Sequence, residues 1–205
     1  MGLFDLFKRR RAPVRDPAEL ADFIDGNAAF VVQKGLYEYS RARAGHYAKV
    51  LFAEKEFQAA VENSRWRAYP LGLAMMAEVV DNVLHGDGVA DRAEGLEQLN
   101  ALVLSVFDRY PVPAPLGAPT WSTLRVELER RLKLIGLHPP KRAMDIPETY
   151  IHPYFDLMPI HEKLRGRDFP TTHNYLQVVL CNVHEELSER IDLRAFGRGE
   201  LSPAG

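Results

Sequence analysis

The stretch that decides the fold is LQVVLCNVHEELSERI, residues 176–191. Its apolar residues recur at i, i+3, i+4, i+7, i+11 and i+15. At 100° per residue these positions occupy an arc of about 120°, which is typical of the core-facing stripe of a helix. The stripe consists of Leu176, Val179, Leu180, Val183, Leu187 and Ile191. The stretch therefore predicts an amphipathic helix that packs on other elements.

Helical patterns of this kind fill the rest of the chain, separated by proline and glycine. We expect helices over 27–54, 55–65, 70–85, 91–109, 120–134 and 170–191, with short broken pieces over 147–165. Asp16, Pro17 and Glu19 form a helix start, since Asp16 can cap and Glu19 can reach back. Alternating strand patterns are short and lack hairpin dipeptides. The prediction is an all-α, single compact helical bundle of about seven to eight helices, with a proline-broken segment at 139–170.

Three parts of the chain differ in character. Residues 1–15 read as a basic amphipathic arm, 16–192 as the helical domain and 193–205 as a flexible tail. At 205 residues, with 46% hydrophobic and 26% charged residues, one self-sufficient domain is expected.

Composition also limits the classes of function. Cys181 is the only cysteine, which excludes an internal disulfide and fits a cytoplasmic protein. The formal charge of −2 disfavours a general nucleic-acid binder. No apolar run approaches the roughly 20 residues of a membrane span, and no secretory leader is recognised.

Standard catalytic signatures are missing. The sequence contains no G-x-S-x-G, G-x-x-x-x-G-K-[ST], G-x-G-x-x-G or H-E-x-x-H motif. None of the seven histidines has a glutamate three residues before it, so the E-x-x-H pairs of di-metal bundles are absent. We therefore lean against an enzyme and predict no cofactor and no metal site.

Two constellations suggest a functional site. Glu78, Asp81 and His85 fall within about 60° on a helix and could converge on one metal ion, but the opposite arc is apolar, so we expect the three side chains to face water. Cys181 and His184 lie three residues apart in mid-helix. Because Glu185 and Glu186 are adjacent and disfavour a thiolate, we expect Cys181 to pack beside the core instead.

The stretch 139–175 mixes prolines, aromatics, histidines and arginines, a composition that often lines ligand sites. Its candidate ligand-binding residues are His152, Tyr154, His161, Arg165 and Arg167. Aromatics that merely cover one end of the bundle explain the same composition, and we favour that interpretation.

The N-terminal arm joins an apolar group to a basic one: Leu3, Phe4, Leu6, Phe7, Lys8, Arg9, Arg10 and Arg11. Such a segment can meet an anionic membrane surface. It can equally dock onto the domain or onto a protein partner, or stay unstructured, and we favour these alternatives.

The middle of the chain is basic and aromatic. Five basic residues are interleaved with five aromatic residues. The basic residues are Arg41, Arg43, Lys49, Arg65 and Arg67, and the aromatic residues are Tyr37, Tyr39, Tyr47, Trp66 and Tyr69. Tyr, Trp and Arg are the preferred anchors of protein interfaces, so we rank a protein partner above nucleic acid, and ordinary packing above both.

Two hypotheses for function remain. The first is a non-catalytic helical protein-interaction or regulatory protein of the cytoplasm, with peripheral membrane association as an option. The alternative is an enzyme or small-ligand-binding protein whose His/Tyr/Arg-lined site lies in 139–175.

Overall fold

A computed structural model describes residues 12–86, 92–159, 165 and 168–196. Over these ranges the chain forms helices and turns and contains no strand, which confirms the all-α prediction. The helices are α1 (Pro17–Ala44), α2 (Ala48–Leu51), α3 (Lys55–His85), α4 (Arg92–Asp108), α5 (Gly117–Ile135), α6 (Pro147–Asp156), α7 (Phe169–Arg190) and α8 (Leu193–Phe196). Short 3₁₀ turns cover Gly45–Tyr47 and Ala143–Asp145. Six of the described helices have ten residues or more, so the predicted count of seven to eight was slightly high.

The first helix begins where the sequence predicted. The Asp16 carboxylate accepts a hydrogen bond of 2.8 Å from the backbone N–H of Glu19, and Pro17 occupies the first turn. The Glu19 carboxylate reaches back to the N–H of Arg15 at 2.7 Å. At the other end Gly45 has a φ of 53°, a conformation that favours glycine and ends α1.

The central helix α3 runs without interruption through Pro70, whereas the sequence predicted separate helices over 55–65 and 70–85. All residues from Ala68 to Asp81 are buried. They are buried because α1, α4, α5, α6 and α7 all pack around α3. This packing on every side offsets the loss of the backbone hydrogen bond that Pro70 cannot donate. Because the two predicted helices form one, the number of helices is lower than predicted.

The α1 and α3 helices form an antiparallel hairpin with close backbone contact at Gly72. A Cβ atom at Gly72 would lie only 2.9 Å from the carbonyl oxygen of Ala28. The absence of a side chain there lets the two helices approach.

The α7 helix packs as predicted on its apolar stripe. Leu176, Val179, Leu180, Val183 and Leu187 are buried, and Ile191 is half-buried against the core. Just beyond α7, the N–H of Val14 donates to Arg190 O and the N–H of Asp192 donates to Val14 O, both at 2.9 Å.

The structure describes the inner edges of the predicted arm and tail. Val14, within the predicted arm of 1–15, is only 1% exposed. Leu193–Phe196, within the predicted tail of 193–205, forms α8. None of the described helices combines the length and the apolar content that a membrane span requires.

Candidate functional site

The polar face of α3 is buried, so the prediction that Glu78, Asp81 and His85 face water was wrong. Their exposed fractions are 2%, 1% and 9%. A helix that is enclosed on all sides must bury its polar arc as well as its apolar one. Buried charges need partners, and here cations from two other segments, Arg92 and Lys141, provide them.

Asp81 lies at the centre of one half of this polar network. Its two carboxylate oxygens accept hydrogen bonds from Arg92 Nε at 3.1 Å and from Arg92 Nη2 at 2.8 Å. His85 Nδ1 lies 3.1 Å from Oδ1 of the same carboxylate. Burial by itself would raise the pKa of Asp81, but the hydrogen bonds and charges of His85 and Arg92 outweigh it and lower the pKa. Arg92 also donates to the carbonyls of Ile135 and His138, which joins α3 and α4 to the end of α5.

Glu78 lies at the centre of the other half of the buried polar network. Its Oε1 accepts from Lys141 Nζ at 2.9 Å and from the Tyr150 hydroxyl at 2.8 Å. Lys141 Nζ also lies 2.9 Å from Thr149 Oγ1. Burial, followed by the negative charge of Glu78, raises the pKa of Tyr150 well above its ordinary value. Tyr150 is therefore a neutral donor at physiological pH.

This network fits a structural clamp better than a catalytic centre. The Thr149–Lys141 pair has the atoms of a nucleophile and a base, but a lysine ammonium held by the Glu78 carboxylate is a poor proton acceptor. Within the described residues, no group of three His, Cys, Asp or Glu side chains could hold a metal ion. The network joins α3 to α4 and to the segment from 138 to 150.

Two of the predicted ligand residues, His152 and Tyr154, lie on different sides of α6. His152 is exposed, and its ring lies 4.8 Å from that of Phe169. Tyr154 is fully buried, and its hydroxyl lies 3.3 Å from Val31 O on α1. These two residues therefore do not line one common pocket.

Of the other predicted ligand residues, the structure describes Arg165. Its Nη1 donates a 2.7 Å hydrogen bond to Phe155 O, and its guanidinium lies 5.5 Å from the Phe155 ring centroid. His161 and Arg167 lie outside the described residues. A ligand site in 139–175 stays a prediction.

Cys181 and His184 have different surroundings in the structure. Cys181 is exposed, so the prediction that it packs beside the core was wrong; the buried stripe of α7 is too narrow to include it. His184 Nε2 lies 2.7 Å from Asn82 Oδ1 on α3, and burial lowers the pKa of His184. His184 thus serves a contact between helices.

The end of the α1–α3 hairpin contributes little to the core. The structure describes every residue between Arg41 and Arg67, and of these only Phe57 is buried. Apart from Phe57, the buried residues of the two helices end at Ser40 and begin again at Ala68. We call residues 41–67 the hairpin tip.

A line of exposed aromatic and basic side chains follows α1 toward this tip. Phe30, Lys34, Tyr37 and Arg41 fall within about 60° on the helix surface. Phe30 is 48% exposed and Tyr37 is 45% exposed. Lys34 Nζ lies 5.0 Å from the Phe30 ring centroid, and the Tyr37 ring lies 4.8 Å from that of Phe52. The Phe52 contact connects this line to the turn between the helices.

The turn also exposes apolar side chains. Tyr47 is 65% exposed and Val50 is 61% exposed. Residues 30–53 contain four Lys or Arg and one Glu, a net formal charge of +3 in a chain whose total is −2. We call the set Phe30, Lys34, Tyr37, Arg41, Tyr47, Lys49 and Val50 the aromatic–basic surface.

Sequence reasoning identified part of this surface. It singled out Tyr37, Arg41, Tyr47 and Lys49 within a longer set, but it missed Phe30, Lys34 and Val50. The i, i+4, i+7, i+11 spacing from Phe30 to Arg41 was the available signal. The rest of the set has other roles: Tyr69, for example, is buried, and its hydroxyl donates to Asp25 at 2.7 Å.

The predicted arm residues Leu3 to Arg11 lie outside the described residues. Comparison with known proteins found no matching protein-family model, no similar curated protein and no similar solved structure.

Proposed function

We propose that this chain is a non-catalytic, cytoplasmic interaction protein that binds a protein partner through the aromatic–basic surface. The observation that carries the proposal is the exposure of Phe30, Tyr37, Tyr47 and Val50 on one hairpin, whose tip has one buried residue, Phe57, among its described residues. Clustered exposed apolar side chains with interleaved cations are typical of interfaces, where Tyr and Arg supply the anchors.

The buried network supports the non-catalytic part of the proposal. The Asp81 carboxylate is held by Arg92, and the Glu78 carboxylate is held by Lys141 and Tyr150. The oxygens held in this way are poor proton acceptors; the other oxygen of Glu78, Oε2, is buried without a hydrogen-bond partner among the described residues. A single cysteine and no internal disulfide support the cytoplasmic part.

The test is site-specific photo-crosslinking in the native cell. A photoreactive phenylalanine analogue replaces Tyr47 in one full-length variant and Phe30 in another. The matched control carries the analogue at Val126, an apolar residue on α5 whose exposure (62%) is close to that of Tyr47. We expect both surface positions, and not the control, to crosslink to the same protein.

The captured protein is then purified and titrated against the full chain. Because exposed aromatics at an interface contribute about 1–3 kcal/mol each, the Phe30→Ser/Tyr37→Ser variant should bind at least about tenfold more weakly. Val126→Ser should bind like the unmodified protein. Equal crosslinking from position 126, or unchanged affinity of the double variant, would refute the proposal.

A further inference from the structure

We infer that the partner segment is an acidic amphipathic helix that lies along α1, with apolar and acidic residues each repeated every seven positions; this rests on the proposed function. The inference starts from the order of side chains along the exposed line. Phe30 and Tyr37 are seven residues apart, and so are Lys34 and Arg41. At 1.5 Å per residue, each pair is separated by about 10 Å along the helix.

The line thus alternates an aromatic and a cation at nearly every turn. A second helix laid beside α1 presents its own residues at the same rise, so a seven-residue repeat keeps the two lines in register. Apolar residues of the partner would meet Phe30 and Tyr37, and carboxylates four residues on would meet Lys34 and Arg41. Carboxylates are favoured because Lys34 and Arg41 place a cation on this line at each repeat.

The same arrangement disfavours a membrane surface. A helix that binds at a bilayer places its apolar residues on one face and its cations on the other. Here Lys34 lies on the same line as the two aromatics, with its Nζ only 5.0 Å from the centroid of the Phe30 ring. Inserting Phe30 and Tyr37 into lipid would carry the charged groups of this line toward the hydrocarbon.

The number of cations disfavours nucleic acid. The aromatic–basic surface contributes Lys34, Arg41 and Lys49, whereas the nearby Arg43 already lies 3.1 Å from the Asp168 carboxylate. Affinity for nucleic acid depends on how many phosphates Lys and Arg neutralise, and three cations neutralise few. A helix with a few spaced carboxylates matches three cations better.

The experiment uses full-length protein and three synthetic peptides of three heptads. The first repeats Leu and Glu at the required spacing, the second permutes the same residues to break the repeat, and the third replaces Glu by Lys. Binding is followed by amide NMR shifts. We expect the first peptide to shift residues between 30 and 53, and its affinity to exceed that of the other two at least tenfold.

The matched charge reversals are Lys34→Glu/Arg41→Glu on the surface and Arg130→Glu on α5, where Arg130 is 60% exposed. The double variant should lose at least tenfold in affinity, and the control should lose none; a helical circular-dichroism spectrum verifies folding. Raising the salt concentration should lower the affinity of the first peptide only.

The inference is overturned if the permuted peptide binds equally well, if no peptide binds up to millimolar concentration, or if shifts appear elsewhere. It is also overturned if phosphatidylserine vesicles or single-stranded RNA bind this surface more tightly, or if the surface contacts a second copy of the chain. Failure of the peptides together with successful crosslinking from positions 30 and 47 would refute only the acidic helix. Failure of crosslinking would refute the proposed function.

Discussion

The hydroxyl of Tyr150 donates a hydrogen bond of 2.8 Å to Oε1 of Glu78, which lies 72 residues earlier in the chain. Both side chains are buried, and the bond joins α6 to the enclosed helix α3. Since Lys141 donates to the same oxygen, a neutral and a charged donor share one carboxylate oxygen. The energetic weight of this network can be measured by removing one partner at a time.

Tyr150→Phe removes the neutral donor and keeps the ring. We expect the free energy of unfolding to fall by about 1–2 kcal/mol, because a buried acceptor loses a hydrogen bond. Urea unfolding measures the change, with Tyr47→Phe as the control, since Tyr47 is 65% exposed. An unchanged urea midpoint for Tyr150→Phe would show that the bond contributes nothing.

The lowered pKa of Asp81 predicts acid sensitivity. A carboxyl group whose pKa is lower when folded stabilises the fold above its unfolded pKa of about 3.9, and this stability is lost as pH falls through the folded value. Asp81→Asn should lower the free energy of unfolding at pH 7 by about 2–4 kcal/mol, because Arg92 is left without its carboxylate. Between pH 4 and 2, the free energy of unfolding of this variant should change less than that of the unmodified protein.

Unfolding measured across pH 2–7 tests this prediction. Parallel curves for the two proteins below pH 4 would contradict the assigned role of Asp81. Glu189→Gln, a change at an exposed carboxyl of α7, serves as the control and should leave the curve almost unaltered.

Two glycines of α1 predict opposite effects of the same substitution. A Cβ atom at Gly35 would lie 2.1 Å from the Tyr154 hydroxyl and 2.8 Å from Tyr175 Cε1, so Gly35→Ala should destabilise the fold by about 1–3 kcal/mol. Nothing lies within 4 Å of a Cβ at Gly26, so Gly26→Ala should stabilise α1 by about 0.5–1 kcal/mol. Thermal unfolding distinguishes the two, and equal signs would be inconsistent with the packing of Tyr154 on α1.

The exposure of Cys181 predicts a reactive thiol in the folded protein. A maleimide or disulfide reagent should label the native chain within a few-fold of the rate for the urea-unfolded chain, because no opening of the structure is required. Cys181→Ser provides the blank. Protection of a hundredfold or more in the native state would place the thiol in the interior.

The fold was predictable to the extent that each helix carries its own pattern. The α7 stripe from Leu176 to Leu187 and the Asp16 cap depend on neighbouring residues only, and both agree with the structure. The continuity of α3 through Pro70 was not predictable in this way. It depends on helices that surround Pro70 and that are distant in sequence.

The same limit applies to the polar residues and to the candidate surface. Glu78 and Asp81 looked solvated because their partners, Lys141 and Arg92, lie 63 and 11 residues away. The exposure of Phe30 had a local signal in its spacing to Lys34, Tyr37 and Arg41, whereas the exposure of Val50 in the turn depends on which other helices cover the hairpin. Residue types indicated an interface in this part of the chain, but its outline required the packed structure.

The backbone pairing of Val14 with Arg190 and Asp192 also has a practical consequence. It brings the entry and exit of the described domain side by side, next to the start of α1. The 28 residues of α1 then separate that point from Gly45 by about 42 Å. A flexible tether, a fluorophore or a solid support attached beyond either edge of the domain would therefore leave the tip pointing outward and accessible, so single-molecule and biosensor measurements need no internal insertion.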